Sequence, residues 1–147
     1  MKFLTLLVFS SLFATSSGWM NNFDDAKKTA SQKHELIVLN FSGSDWCGPC
    51  MRLRKEIFES NEFKTYAEDN LVLVNADFPR MKKNQLSKEQ VKINEALADK
   101  YNSKGKFPLT LLLNADGKVL KTWDGFPGGA PEDFTNEIKA ISNAAIK

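Results

Sequence analysis

Leu36-Ile37-Val38-Leu39-Asn40-Phe41-Ser42-Gly43-Ser44-Asp45-Trp46-Cys47-Gly48-Pro49-Cys50 carries both cysteines of the chain. The run from Glu35 to Phe41 is continuous in apolar residues from Leu36 to Leu39 rather than alternating, the pattern of a strand covered by helices on both faces. That strand belongs at the centre of a sheet. After it, Cys50, Leu53, Ile57 and Phe58 recur at helical spacing, so a helix is predicted from about Cys47 to Glu59. A Cys-x-x-Cys segment at the opening of a helix sets its first sulfur beside unpaired backbone N–H groups and the positive end of the helix dipole. Such a setting lowers a thiol pKa from about 8.5 toward or below neutrality. Cys47 is therefore the candidate reactive thiol and Cys50, one turn later, the resolving thiol.

Outward from this segment, short elements alternate in type. Phe23, Ala26, Lys27 and Ala30 form a modest helical stripe before the single histidine, His34, read as a polar residue at a strand entrance. Ser60 is placed to cap a helix carrying Phe63, Tyr66 and Ala67, and Leu71 to Ala76 forms a second buried strand. Strand, helix, strand in that order implies a parallel pair with a right-handed crossover. Ser87-Lys88-Glu89-Gln90 has the form of a capping box ahead of Val91, Asn94, Leu97, Ala98 and Tyr101. The runs Phe107–Leu113 and Lys118–Trp123 flank Asn114-Ala115-Asp116-Gly117, an antiparallel hairpin signal. Pro131, at a favourable first-turn position, opens an amphipathic closing helix through Phe134, Ile138, Ile141 and Ala145, expected to cover the hairpin.

The first residues have a different character. Lys2 precedes an apolar stretch from Phe3 to Ala14, too short for a membrane span of about 20 residues, with Ala14, Ser16, Ser17 and Gly18 as small cleavage-site residues. Residues 1–18 are read as a signal peptide cut between Ser16 and Trp19, against a buried N-terminal helix as the alternative; no cysteine there offers a lipid anchor. Residues 19–147 leave about 130 residues, the size of one domain. The net charge of +2 and the short basic clusters Arg52-Leu53-Arg54-Lys55 and Arg80-Met81-Lys82-Lys83 do not argue for nucleic acid. A bridge closing so short a loop would stabilise weakly as a purely structural disulfide. A metal site would need more ligands than two sulfurs and His34 supply.

With Trp46-Cys47-Gly48-Pro49-Cys50 at a strand-to-helix turn, Pro108 opening a hairpin and the Asp116-Gly117 turn, the chain resembles the thioredoxin family from about Phe23 to Ile146, closest to exported bacterial members. The resemblance implies an α/β thioredoxin-like fold with a central mixed sheet, helices on both faces and a C-terminal antiparallel hairpin. It implies Cys47 and Cys50 as catalytic residues and a redox-active disulfide between them in place of any cofactor or metal. It assigns substrate contact to Trp46, Gly48, Pro49, Phe107, Pro108 and Gly125, with Phe107–Pro108 as a cis peptide bond facing the dithiol. Three of these keep a plainer reading: Trp46 as a core or rim aromatic, Phe107 as an interior residue, Gly125 as a turn glycine. The implied activity is exchange of disulfides with protein substrates in the periplasm or outside the cell. Gly48-Pro49 favours a reductase or isomerase over a primary oxidase; a non-catalytic protein-binding module is the alternative. An exported reductant needs an electron source, and a membrane thiol relay is the implied donor to a monomeric protein.

Departures from the cytosolic pattern matter as much. Asn40 stands in the place of a buried aspartate and Leu73 in that of its lysine partner, so the proton acceptor for Cys50 is left among Glu56, Asp45 and water. Lys55 replaces the helix-kinking proline, and the segment between Asp77 and Phe107 is longer than in the smallest members.

Overall fold

The computed structural model describes residues 18–145. The predicted leader therefore lies outside the described residues except for Gly18. Four strands, β1 (Leu36–Ser42), β2 (Leu71–Asp77), β3 (Leu109–Leu113) and β4 (Val119–Asp124), form one mixed sheet in the order β2-β1-β3-β4. β1 runs parallel to β2 and antiparallel to β3, which pairs antiparallel with β4. Every residue of β1 after Leu36 and every residue of β3 is buried, as a continuous apolar run in an interior strand requires. β3 starts two residues later than the sequence pattern suggests, because Phe107–Pro108 is a cis peptide bond that turns the chain before the ladder begins.

The sheet is covered on both sides. On one face α1 (Phe23–Lys33) and α4 (Lys88–Tyr101) bury Phe23, Ala26, Ala30 and Leu97 against Ile37, Leu39, Phe41, Val72, Val74, Leu111 and Leu113. On the other, α2 (Gly48–Leu53), α3 (Asn61–Asn70) and α5 (Pro131–Ala145) bury Leu53, Phe63, Phe134 and Ile138 against Val38, Leu112 and Trp123. Thus α5 covers the hairpin as expected, and it also packs on α3 through the Phe63–Phe134 contact.

Local signals acted as predicted with two differences. Ser60 accepts from Phe63 N–H and Ser87 from Gln90 N–H, each satisfying an orphan donor. The box at Ser87 is only half formed, however: the Gln90 amide donates to Asn21 O and Asn94 Oδ1 instead of reaching back. His34 is the C-cap of α1 in the left-handed region, φ 57°, with its N–H on Ala30 O. At the hairpin, Gly117 has φ 87°, and Tyr101 Oη donates to its carbonyl at 2.7 Å. A Cβ there would fall 2.7 Å from that hydroxyl, so glycine lets α4 clasp the turn.

Candidate active site

β1 ends at Ser42, and the chain turns through Gly43–Trp46 into α2. Cys47 is the N-cap of α2 in extended conformation, and its Sγ accepts from Cys50 N–H at 3.3 Å. The two sulfurs are bonded, with Cα atoms 5.2 Å apart. Both cysteines are 5% exposed, while Gly48 and Pro49 between them face solvent. Pro49 sits in the first turn, where its missing N–H costs nothing.

Beyond Leu53 the predicted long helix changes pitch: Arg54–Phe58 is a π-helical turn. Lys55 lies within it, so the irregularity that a proline would impose comes instead from a wider hydrogen-bonded turn. Ile57 and Phe58 still reach the core.

The loop before the dithiol is tied down by groups the sequence reading left without a structural role. Asp45 accepts from the backbone N–H groups of Arg80 and Met81, both at 2.9 Å, and from Asn84 Nδ2 at 3.0 Å. The Arg80 N–H first, and then the Asn84 amide, hold its carboxyl below the usual aspartate range. Arg52 does the same for Glu56 by a side-chain hydrogen bond. Both carboxylates are thus bound by other donors that favour their ionised form, which makes each a weaker base. Asp77 accepts from Ser42 Oγ, Ser44 N–H and Ser44 Oγ, fixing the start of the same loop to the end of β2.

Asn40 faces the α2 side of the sheet in a neutral network: it donates to Asn75 Oδ1 at 3.0 Å and accepts from Thr110 Oγ1 at 3.1 Å. Leu73, in the place of a lysine, packs with the apolar core on that face. Among the described residues this floor carries no titratable partner for Asn40.

Around the dithiol, Trp46 donates from Nε1 to Phe78 O at 2.8 Å and meets Phe107 edge-on at 5.5 Å. Phe107 also meets Phe78 at 5.4 Å, so it is part of a half-buried aromatic wall and packs partly inside. Gly43 has no room for a side chain, since a Cβ would lie 2.2 Å from the indole. Asn102, the C-cap of α4, clamps Lys106 through both its N–H and its carbonyl, just ahead of Phe107–Pro108. Gly125, φ 84°, donates its N–H to Pro108 O at 2.9 Å, and the space above it is open. The structure therefore groups Cys47, Cys50, Gly48 and Pro49 on one turn, joins Trp46 to Phe107, and joins Pro108 to Gly125. Phe78 and Arg80 escaped sequence reasoning because their partners Trp46 and Asp45 lie 32 and 35 residues away, and Gly43 and Asn102 because their fit depends on the folded loop. Only the turn-forming Asn102-Ser103-Lys104-Gly105 carried a local signal.

Among the described residues no group of three or more His, Cys, Asp or Glu side chains is placed to hold a metal, and no helix is long and apolar enough to cross a membrane.

Comparison with known proteins agrees with this geometry. A relative named Disulfide bond reductase DsbH, from Chlamydia pneumoniae, is 37% identical over 119 residues, 81% of this chain and 69% of the relative. A solved DsbH oxidoreductase superposes with a TM-score of 0.75 at 32% identity, covering 86% of this chain and 84% of its own. A poplar thioredoxin h shares the fold, with a TM-score of 0.58 at 18% identity over 84% of this chain and 93% of its own. The thioredoxin-like domain family matches residues 23–142, and with its paired cysteines at the head of α2 the chain belongs to the thioredoxin-like thiol-disulfide oxidoreductases.

Proposed function

We propose that the chain is an exported protein-disulfide reductase. The observation that carries this reading is the Cys47–Cys50 pair at the N-terminus of α2, with the Cys50 N–H already directed at Cys47 Sγ. In the reduced protein that N–H and the helix dipole stabilise a Cys47 thiolate. The thiolate attacks one sulfur of a substrate disulfide and expels the other as a thiolate, leaving a mixed disulfide. Cys50, losing its proton to water, attacks Cys47 Sγ, re-forms the Cys47–Cys50 bond and releases the second substrate thiolate. Two electrons pass from the dithiol to the substrate, and the released thiolates take up two protons from solvent.

Trp46, Phe107, Gly48 and Pro49 supply the apolar docking rim, while Pro108 and Gly125 present backbone to an extended substrate. The open space over Gly125 and its bond to Pro108 O support that role. Gly48-Pro49 between the cysteines and the similarity to a protein named as a reductase support the reducing direction. The leader at residues 1–18 supports export, and export in turn requires a dithiol donor, for which a membrane thiol relay is suited. The protein acts as a monomer, without nucleic acid and without a cofactor beyond its own disulfide.

The test uses the chain from Gly18 onward with dithiothreitol as electron source and insulin as substrate. Turnover is expected, Cys47→Ser is expected to abolish it, and Cys50→Ser to accumulate mixed disulfides through Cys47. Unchanged turnover in Cys47→Ser sinks the enzymatic reading; absence of both turnover and trapped species leaves the non-catalytic binding module. Equilibration with glutathione sets the direction: a potential nearer about −270 mV than about −120 mV marks a reductase, and one between them near −180 mV an isomerase.

A further inference from the structure

The guanidinium of Arg80 lies on Trp46, its central carbon 3.7 Å from the ring centroid, on the indole that immediately precedes the reactive cysteine. Its main chain is fixed there, because Asp45 binds the N–H groups of both Arg80 and Met81. Asp45 thereby spends its oxygens on amide donors. Among the described residues the Arg80 side chain makes no ion pair and no hydrogen bond to another side chain, and it is exposed. Other cations near the site are already used: Arg52 pairs with Glu56 and stacks on Phe126, and Lys106 pairs with Asp124. Lys82 and Lys83 follow Arg80 in a short 3-10 turn and are also exposed.

Lying 3.7 Å over the indole and without another side-chain partner among the described residues, the Arg80 guanidinium keeps N–H donors free, and an arginine fork matches a carboxylate in two parallel hydrogen bonds. Stacking on an indole further holds the cation in place. We propose that Arg80 is a specificity-determining residue that selects protein disulfides flanked by Asp or Glu, gripping the substrate carboxylate beside Trp46 while Cys47 attacks. Lys82 and Lys83 extend the same positive field. The inference rests on the reductase reading and narrows its substrate class to acidic peptide segments.

The experiment compares two peptides, each dimerised by one disulfide and identical except for Glu or Lys on both sides of the cysteine. Their kcat/KM is measured for the unsubstituted chain, Arg80→Gln and Arg80→Glu, with dithiothreitol regenerating the dithiol and the uncatalysed rate subtracted. An exposed ion pair predicts roughly a two- to fivefold preference for the Glu peptide over the preference left in Arg80→Gln. The preference should shrink as salt rises, and Arg80→Glu should turn it toward the Lys peptide. Comparing variants cancels the peptides' own difference in thiol reactivity. The same Glu-to-Lys ratio in all three proteins overturns the inference, as does an equal loss on both peptides, which would reduce Arg80 to a prop for Trp46. Reduction of neither peptide by the unsubstituted chain overturns the reductase reading and this inference with it.

Discussion

Asn40 shows how one side chain changes the chemistry available under a dithiol. Its amide both donates and accepts in the buried network with Asn75 and Thr110, so it holds three strands in register without taking part in proton transfer. A protonated aspartate could reproduce both bonds, its O–H toward Asn75 and its carbonyl toward Thr110. An ionised one could not, and it would face the Asn75 oxygen in a site 6% exposed. Asn40→Asp is therefore expected to have a carboxyl pKa raised above its unfolded value, so that the folded state binds more protons. The variant should match the unsubstituted protein in acid and fall behind as pH rises, by roughly 3–4 kcal/mol at pH 7 for a rise of two to three units. Urea denaturation of both proteins at pH 4 and pH 7 measures this; an equal deficit at both pH values would contradict it.

At the scale of elements, the site is assembled from segment ends. Cys47 caps α2, Asp77 ends β2, Asn102 caps α4, and Pro108 and Gly125 flank the β3–β4 hairpin. Asn102 is the joint with the clearest mechanical role, because its buried amide binds Lys106 at 2.8 and 2.9 Å and so sets where Phe107 meets Trp46. Asn102→Ala removes both hydrogen bonds to the Lys106 backbone, at a cost of about 1–3 kcal/mol. The expected outcome is that loss in chemical denaturation together with a lower kcat/KM for disulfide reduction. A stability loss with unimpaired kcat/KM would show that the clamp serves folding alone. Element types were legible beforehand, since helical and strand periodicity and the caps at Ser60 and Ser87 are local signals. The π turn at Arg54–Phe58 was not, because a widened turn leaves the spacing of Leu53, Ile57 and Phe58 close to that of an ordinary helix.

For the whole molecule, two apolar cores meet across one sheet, and the chain's first described residues cover part of its β2 edge. Met20 bridges to β2, donating to Leu73 O at 2.8 Å and accepting from Asn75 N–H at 3.0 Å, and Trp19 rests on Phe58 at 4.9 Å. Edge strands invite pairing with other chains unless covered, and this segment covers part of β2. A chain beginning at Asn21 loses two backbone hydrogen bonds and one aromatic contact relative to one beginning at Gly18. It should lose about 1–3 kcal/mol, seen as a lower urea midpoint with a similar slope. An unchanged midpoint would show that the edge needs no such cover. Cleavage between Ser16 and Trp19, as the sequence suggests, would retain both residues.

The sequence by itself determined the order and type of the elements, the paired cysteines at a strand-to-helix turn and the β3–β4 hairpin, because periodicity, capping and turn chemistry act over a few residues; the cis bond before Pro108 was implied by the family resemblance. Only the tertiary structure decided what surrounds Cys47 and Cys50. Asp45 binding the Arg80 segment and the Asn40–Asn75–Thr110 floor join parts of the chain 35 or more residues apart, while the fit of Gly43 to Trp46 and the Asn102 clamp are short-range contacts whose geometry only the folded loops show. The dithiol's identity is thus a local property, and its surroundings are a product of packing: hydrogen bonds and van der Waals contact depend on which residues the fold brings within a few ångströms.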